Sequence, residues 1–155
     1  MKRLASPNDR WQFRLEPEEA AKLRFLVENF PITQPTPAQM SRTDSAGDVR
    51  EREQLLQESL AEHRAELRRQ ARLLVDAAHL REMKTCWRLT LEPAEREILL
   101  QILNDIRVGG WLALGQPEDL YALDAAHPPK HYALVALIHV AGYFEHHLID
   151  SAGEF

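Results

Sequence analysis

His139, Glu145, His146, His147 and Asp150 crowd one short stretch of this 155-residue sequence. Imidazole and carboxylate are the donors that zinc and related divalent ions select. His146 and Asp150 stand four apart, which places both on one face of a helix and within reach of the same ion. His139 and His147 complete the candidate set, but His139 precedes His146 by about 10.5 Å of helix axis, too far to share an ion directly. There is no His-Glu-x-x-His pattern, and the single cysteine, Cys86, has no cysteine partner for a metal site. The pattern therefore allows a divalent metal or small ligand on a helix near residue 150 and calls for no other cofactor. Histidine near a helix C-terminus also complements the helix dipole, which is reason enough for its presence.

A second constellation is Asn104, Asp105, Arg107 and Trp111. Asparagine and aspartate are unusual inside helices because their side chains compete for backbone hydrogen bonds, so their presence needs a cause. One cause is structural: capping a neighbouring helix, with Arg107 stacked on Trp111 one turn later. The other is recognition of a partner or a ligand. Catalysis has less support. Ser6, Ser41, Ser45, Ser59 and Ser151 show no spacing to a base, and a nucleophile without a positioned base is weak. No phosphate-cradling glycine loop is present.

The elements that must carry these residues are marked by an internal echo. Trp11-Gln12-Phe13-Arg14-Leu15-Glu16-Pro17-Glu18-Glu19 recurs 76 residues later as Trp87-Arg88-Leu89-Thr90-Leu91-Glu92-Pro93-Ala94-Glu95, and six of twenty aligned positions to Phe30 and Ile106 are identical. Alternation of apolar residues predicts a half-buried strand in each copy. Proline then occupies the first helical position, where its missing N–H costs nothing, followed by carboxylates that suit the helix dipole. A pseudo-twofold relation would set the two strands antiparallel.

The first helix is expected to run to about Asn29. Residues 31–47 hold three prolines and many small polar residues, a linker between two pseudo-equivalent parts, and residues 1–9 read as a flexible tail. A long second helix starts near Asp48 and continues past Ala78, with Leu56, Leu60, His63, Leu67, Leu74 and Ala78 as its inward stripe and a skipped turn near Ala71. The third begins at Pro93 and is expected to pass through Gly109-Gly110 to Leu114. Those glycines mark a close approach of another helix, and Gly115 ends it as a C′ residue. A loop from Gln116 to Pro129, with a short turn at 117–123, leads to a last helix over 130–149. The fold class is thus mostly α: four main helices with a minor two-stranded antiparallel sheet, in the order β-α-α-β-α-α, as one domain.

Composition bounds the setting. An apolar content of 45% is ordinary for a globular chain. No apolar run approaches the ~20 residues that cross a bilayer, so no membrane partner is expected. The first residues lack a signal-peptide core, and one cysteine fits a reducing compartment, so a cytoplasmic location is expected. Residues 109–155 carry six carboxylates against Lys130 alone, a surface that repels phosphate and disfavours nucleic acid. The mixed charges of 48–84 balance and read as a solvated helix face.

Three segments resemble one family. Glu16-Pro17-Glu18-Glu19-Ala20 with Leu23-Arg24-Phe25-Leu26, the run Leu103-Asn104-Asp105-Ile106-Arg107-Val108 closing at Gly115, and Tyr132 to Leu148 are similar to the bacterial domain-of-unknown-function family two-zero-one-seven. The chain departs from that family between Pro31 and Gly47 and at Gly109-Gly110. The resemblance implies an α-rich fold without established activity. Because members are often encoded near the adaptor of the Clp protease, it also implies a link to proteolysis or its regulation. The reading that follows is a non-catalytic protein-interaction or regulatory module, its partner another protein or a second copy held through the long second helix. The alternatives are a metal- or small-ligand-binding protein using the histidine-rich helix, and a transcription regulator.

Overall fold

The two echoed strands lie side by side at the centre of a four-stranded antiparallel sheet. The computed structural model describes residues 1–5, 10–31, 46–120 and 128–150, and for 46–51, 53 and 57 the backbone alone. In chain order the elements are β1 (Lys2–Leu4), β2 (Trp11–Leu15), α1 (Pro17–Glu28), α2 (Ala46–Leu74), β3 (Leu80–Glu82), β4 (Trp87–Leu91), α3 (Pro93–Ala113) and α4 (Pro129–Asp150). The sheet order is β1-β2-β4-β3, two hairpins joined through their inner strands. Trp11 faces Leu91, Phe13 faces Leu89 and Leu15 faces Trp87. Residues 76 apart are therefore related by a local twofold through the Phe13–Leu89 pair.

Each half leaves its inner strand by the same cap. Glu16 and Glu92 are the N-caps of α1 and α3, with φ/ψ of −71/157° and −72/160°, and proline follows in both. One carboxylate oxygen of Glu19 accepts the Glu16 backbone N–H at 2.8 Å, and one of Glu95 accepts that of Glu92 at 2.7 Å. These carboxylates satisfy donors that a helix start otherwise leaves without partners.

Phe13, Leu15, Leu89 and Leu91 point into a core closed by Leu23, Leu26 and Val27 of α1, Leu99, Ile102, Leu103 and Ile106 of α3, and Ala141, Phe144 and Leu148 of α4. The α3 helix does run through its glycine pair. A Cβ on Gly110 would sit 2.8 Å from Ile138 Cγ1, so α4 approaches there as the glycines imply. At the far end Gly115 has φ +82°, its N–H bonds Leu112 O at 3.0 Å, and Gln116 N–H bonds Trp111 O at 3.0 Å, a Schellman closure.

Three expectations need correction. The sheet has four strands, because residues 2–4 form β1 instead of a tail and 80–82 form β3 instead of helix. The second helix stops at Leu74, so Ala78 lies in a turn. Asp76 ends it: its side chain accepts the N–H groups of Ala78 and His79 at 2.8 and 3.2 Å, offering the backbone an alternative to the helix. Finally, only the last turns of α2 dock. Leu67, Ala71 and Leu74 are buried, with Ala71 filling the apparent gap, whereas Leu56, Leu60 and His63 are exposed. The 31–47 linker lies largely outside the described residues, although α2 begins within it at Ala46; the 117–123 turn is outside them from Tyr121. No helix is long and apolar enough to cross a membrane among the described residues.

The close approach at Gly110 is testable. Gly110→Leu forces Ile138 and α4 outward and should destabilise the fold by about 1–3 kcal/mol. Urea unfolding measures this, and an unchanged midpoint would contradict the α3–α4 contact.

Candidate functional site

The Asn104–Trp111 constellation sits on the side of α3 between α2 and α4, and its members face different neighbours. Asn104 is exposed. Asp105 is half-buried; desolvation raises its pKa while nearby Arg64 and His63 of α2 pull the other way. The Arg107 guanidinium pairs with Glu145 of α4, beside Gly142, instead of stacking on Trp111. The Trp111 indole N–H donates to Pro117 O at 3.1 Å and holds the chain leaving α3.

The histidine set is dispersed along α4. His146 and Asp150 pair at 3.0 Å across one helical turn. His147 sits edge-on to Tyr143, with ring centroids 4.5 Å apart. Burial lowers the His147 pKa, helped by the Met1 amine and His146, and opposed by Glu19 and Asp150. His139 is exposed on the same helix, away from this turn. Among the described residues no three His, Cys, Asp or Glu side chains group as a metal-ligand set.

More is organised around the two capping glutamates. Glu19 turns its second oxygen to the Met1 amine and the Tyr143 hydroxyl. Glu95 turns its second oxygen to His79 Nε2 at 2.9 Å, and His79 Nδ1 meets Asp76 at 3.1 Å. Each glutamate thus caps its own helix and holds the entry to its own outer strand. Burial alone would lower the His79 pKa, but the contacts to Asp76 and Glu95 raise it. Tyr143 is pushed up to about 12 by burial and by the Glu19 carboxylate.

The tryptophans of the echo are covered crosswise. Arg24 of α1 lies over Trp87 at 4.3 Å, and Arg96 of α3 lies over Trp11 at 4.4 Å, so each half's ring carries a cation from the other half. Arg96 is buried and also donates Nε and Nη2 to Leu148 O at 3.1 and 2.8 Å, satisfying a carbonyl in the last turn of α4. Neither Arg96 nor His79 was among the candidates from sequence. The signal for Arg96 is its place on the apolar stripe Leu99, Leu103, Ile106 and Gly110, where a charge must find partners.

The His79–Glu95 contact sets the end of α2 beside the start of α3, so the two helices run antiparallel. They stay together as far as Gln101, whose amide meets His63 Nε2 at 3.3 Å. Beyond that level Leu56 and Leu60 on α2, and Val108, Trp111 and Leu112 on α3, are all exposed. The result is an apolar surface that no described part of this chain covers.

Comparison with protein-family models, with curated proteins and with solved structures finds no match to this chain.

Two outcomes follow from this geometry. Arg96→Ala should cost about 2–4 kcal/mol, because it strips a buried carbonyl of charged donors and uncovers Trp11, whereas Arg107→Ala should cost no more than about 1 kcal/mol, its ion pair being part-exposed. Equal unfolding midpoints for the two variants would contradict these roles. For His79 the folded pKa is raised, so its contribution is complete below the ordinary histidine value of about 6.5 and is lost as pH rises through the folded value. The stability gap between wild type and His79→Gln should therefore be larger at about pH 6 than at about pH 9. A gap that grows with pH would contradict the clamp.

Proposed function

We propose that this protein is a non-catalytic interaction module that pairs with a second copy of itself along α2. The observation that carries this reading is the outer half of α2, where Leu55, Leu56 and Leu60 are 60, 43 and 40% exposed. Leu56 and Leu60 continue the stripe that buries Leu67, Ala71 and Leu74 nearer the sheet. At 29 residues α2 is about 44 Å long, and only its last turns are needed by its own domain.

Charge supplies the orientation. In the sequence of α2, residues 48–62 hold five carboxylates and two arginines, while residues 63–74 hold four arginines and one glutamate. Antiparallel pairing over the full length of α2 sets the acidic outer segment of each copy beside the exposed Arg68, Arg69 and Arg72 of the other, and parallel pairing sets like against like. Val108, Trp111 and Leu112 of α3 supply further exposed apolar surface to such a contact. Membership of family two-zero-one-seven is part of this proposal, and it adds that the contacts of the module regulate another process, proteolysis included.

The oligomeric state tests this. Analytical ultracentrifugation should find a dimer at micromolar concentration that weakens as salt rises. The Leu56→Asp/Leu60→Asp double variant should be monomeric with unchanged sheet and core stability. A wild-type chain that stays monomeric to about 100 μM, or a double variant that dimerises as well as wild type, overturns the proposal.

A further inference from the structure

The sheet turns one face to the helices, and Phe13, Leu15, Leu80, Leu89 and Leu91 lie on that face within the core. Strand alternation sends their neighbours to the opposite face. There the pairing registers set Lys2 opposite Arg14, Arg14 opposite Arg88, and Arg88 opposite Arg81. One cation from each strand thus stands in a single row across the whole sheet, and all four are exposed. Glu82, the carboxylate of β3, is in register with Trp87 on the helix side.

The row has a cost, and the fold does not require it. Like charges directly opposite on neighbouring strands destabilise a sheet, and three such pairs follow one another here. Arg14 leans on Glu16 at 3.4 Å, whereas Lys2, Arg81 and Arg88 form no ion pair among the described residues. The echo supplies an internal control. The local twofold carries Arg14 onto Thr90 and Arg88 onto Gln12, and the row that holds these two, Leu4, Gln12 and Thr90, is neutral. The same positions of the scaffold therefore hold without charge, so the basic row answers to something outside the fold.

Its shape and chemistry select the occupant. Three steps of about 4.8 Å spread the cations over about 14 Å, in a line one residue wide. Arginine and lysine only donate, and a guanidinium meets phosphate through paired N–H bonds. Trp11, Phe13 and Trp87 all stand on the helix side, which leaves the open face without a ring to stack on single-stranded bases. The large exposed apolar side chains lie on the helices and at Met83 in the β3–β4 turn, so the face also lacks the anchors of a protein interface. Residues 109–155, which carry the acidic excess, contribute no strand to this sheet.

We infer that this open face lies against the sugar–phosphate backbone of a nucleic-acid duplex, with Lys2, Arg14, Arg88 and Arg81 on its phosphates and Gln12 and Thr90 beside them as neutral donors. Such contacts read no bases, so binding is independent of sequence and weakens with salt. It is separate from the α2 pairing, which uses the helices.

Fluorescence anisotropy of the full chain with short labelled DNA and RNA duplexes of mixed sequence tests this. At about 50 mM salt one or both duplexes should saturate, and log K should fall with log salt at a slope of about −3 to −4, as four phosphate contacts require. The tighter duplex names the polymer. Arg14→Gln/Arg88→Gln should weaken binding at least about tenfold and make the slope shallower by about two. It should unfold in urea no earlier than wild type, because it relieves like-charge pairs. Lys22→Gln/Lys130→Gln removes as much charge from exposed positions on the helices and should change affinity by no more than about twofold. The inference is overturned if neither duplex saturates by about 100 μM protein, if the strand variant binds as wild type does or unfolds earlier, or if the helix variant loses as much. Phosphatidylserine vesicles and a polyglutamate peptide are the rival anions, and tighter binding of either than of both duplexes overturns it as well.

Discussion

The structure depends on one constraint, the antiparallel pairing of β2 with β4 in the register that sets Phe13 against Leu89. A one-residue slip would send Phe13, Leu15, Leu89 and Leu91 to the solvent face. In register, those four form the floor on which α1 and α3 pack. Two short strands alone are marginal, and here each is widened by a partner, β1 or β3, and roofed by helices. The local twofold then places α1 and α3 as equivalent exits from the sheet, and the proline–glutamate caps begin both in the same way.

The two halves are locked together as much by charge as by apolar contact. Arg24 covers the tryptophan of the other half's strand, and Arg96 does the same in return while holding the carbonyl of Leu148. A buried guanidinium is costly unless its donors are met, and Arg96 meets them with a carbonyl, a carboxylate and a ring face. Glu19 and Glu95 repeat the principle at a smaller scale, each serving a backbone donor and a cation with its two oxygens. Here the halves differ: Glu95 meets a titratable imidazole, and Glu19 meets an amine and a phenol.

Much of this frame was legible in residue order. The Trp-to-Glu echo carries the strands, the caps and the antiparallel pairing, because period-two alternation and proline at the first helical turn are local signals. Gly109-Gly110 and Gly115 likewise marked a close contact and a helix end. What stayed hidden was long-range or small. β1 and β3 are three residues each, too short to show a period, and β1 forms only because Trp11–Leu15 offers an edge. The end of α2 turned on the single side chain of Asp76. Arg107 looked like a partner for Trp111 at helical spacing, but α4 brought Glu145 closer. His146 and Asp150 were correctly placed on one face, while the row of Lys2, Arg14, Arg88 and Arg81 is assembled from four separate strands.

On the proposed pairing, one half of α2 packs on its own domain and the other half on a second copy. Amide hydrogen exchange measured at several protein concentrations tests this most directly. With that pairing, β2 and β4 exchange at one slow rate whatever the concentration, while amides of residues 52–62 gain protection as concentration rises. Protection of 52–62 that does not change with concentration would contradict it.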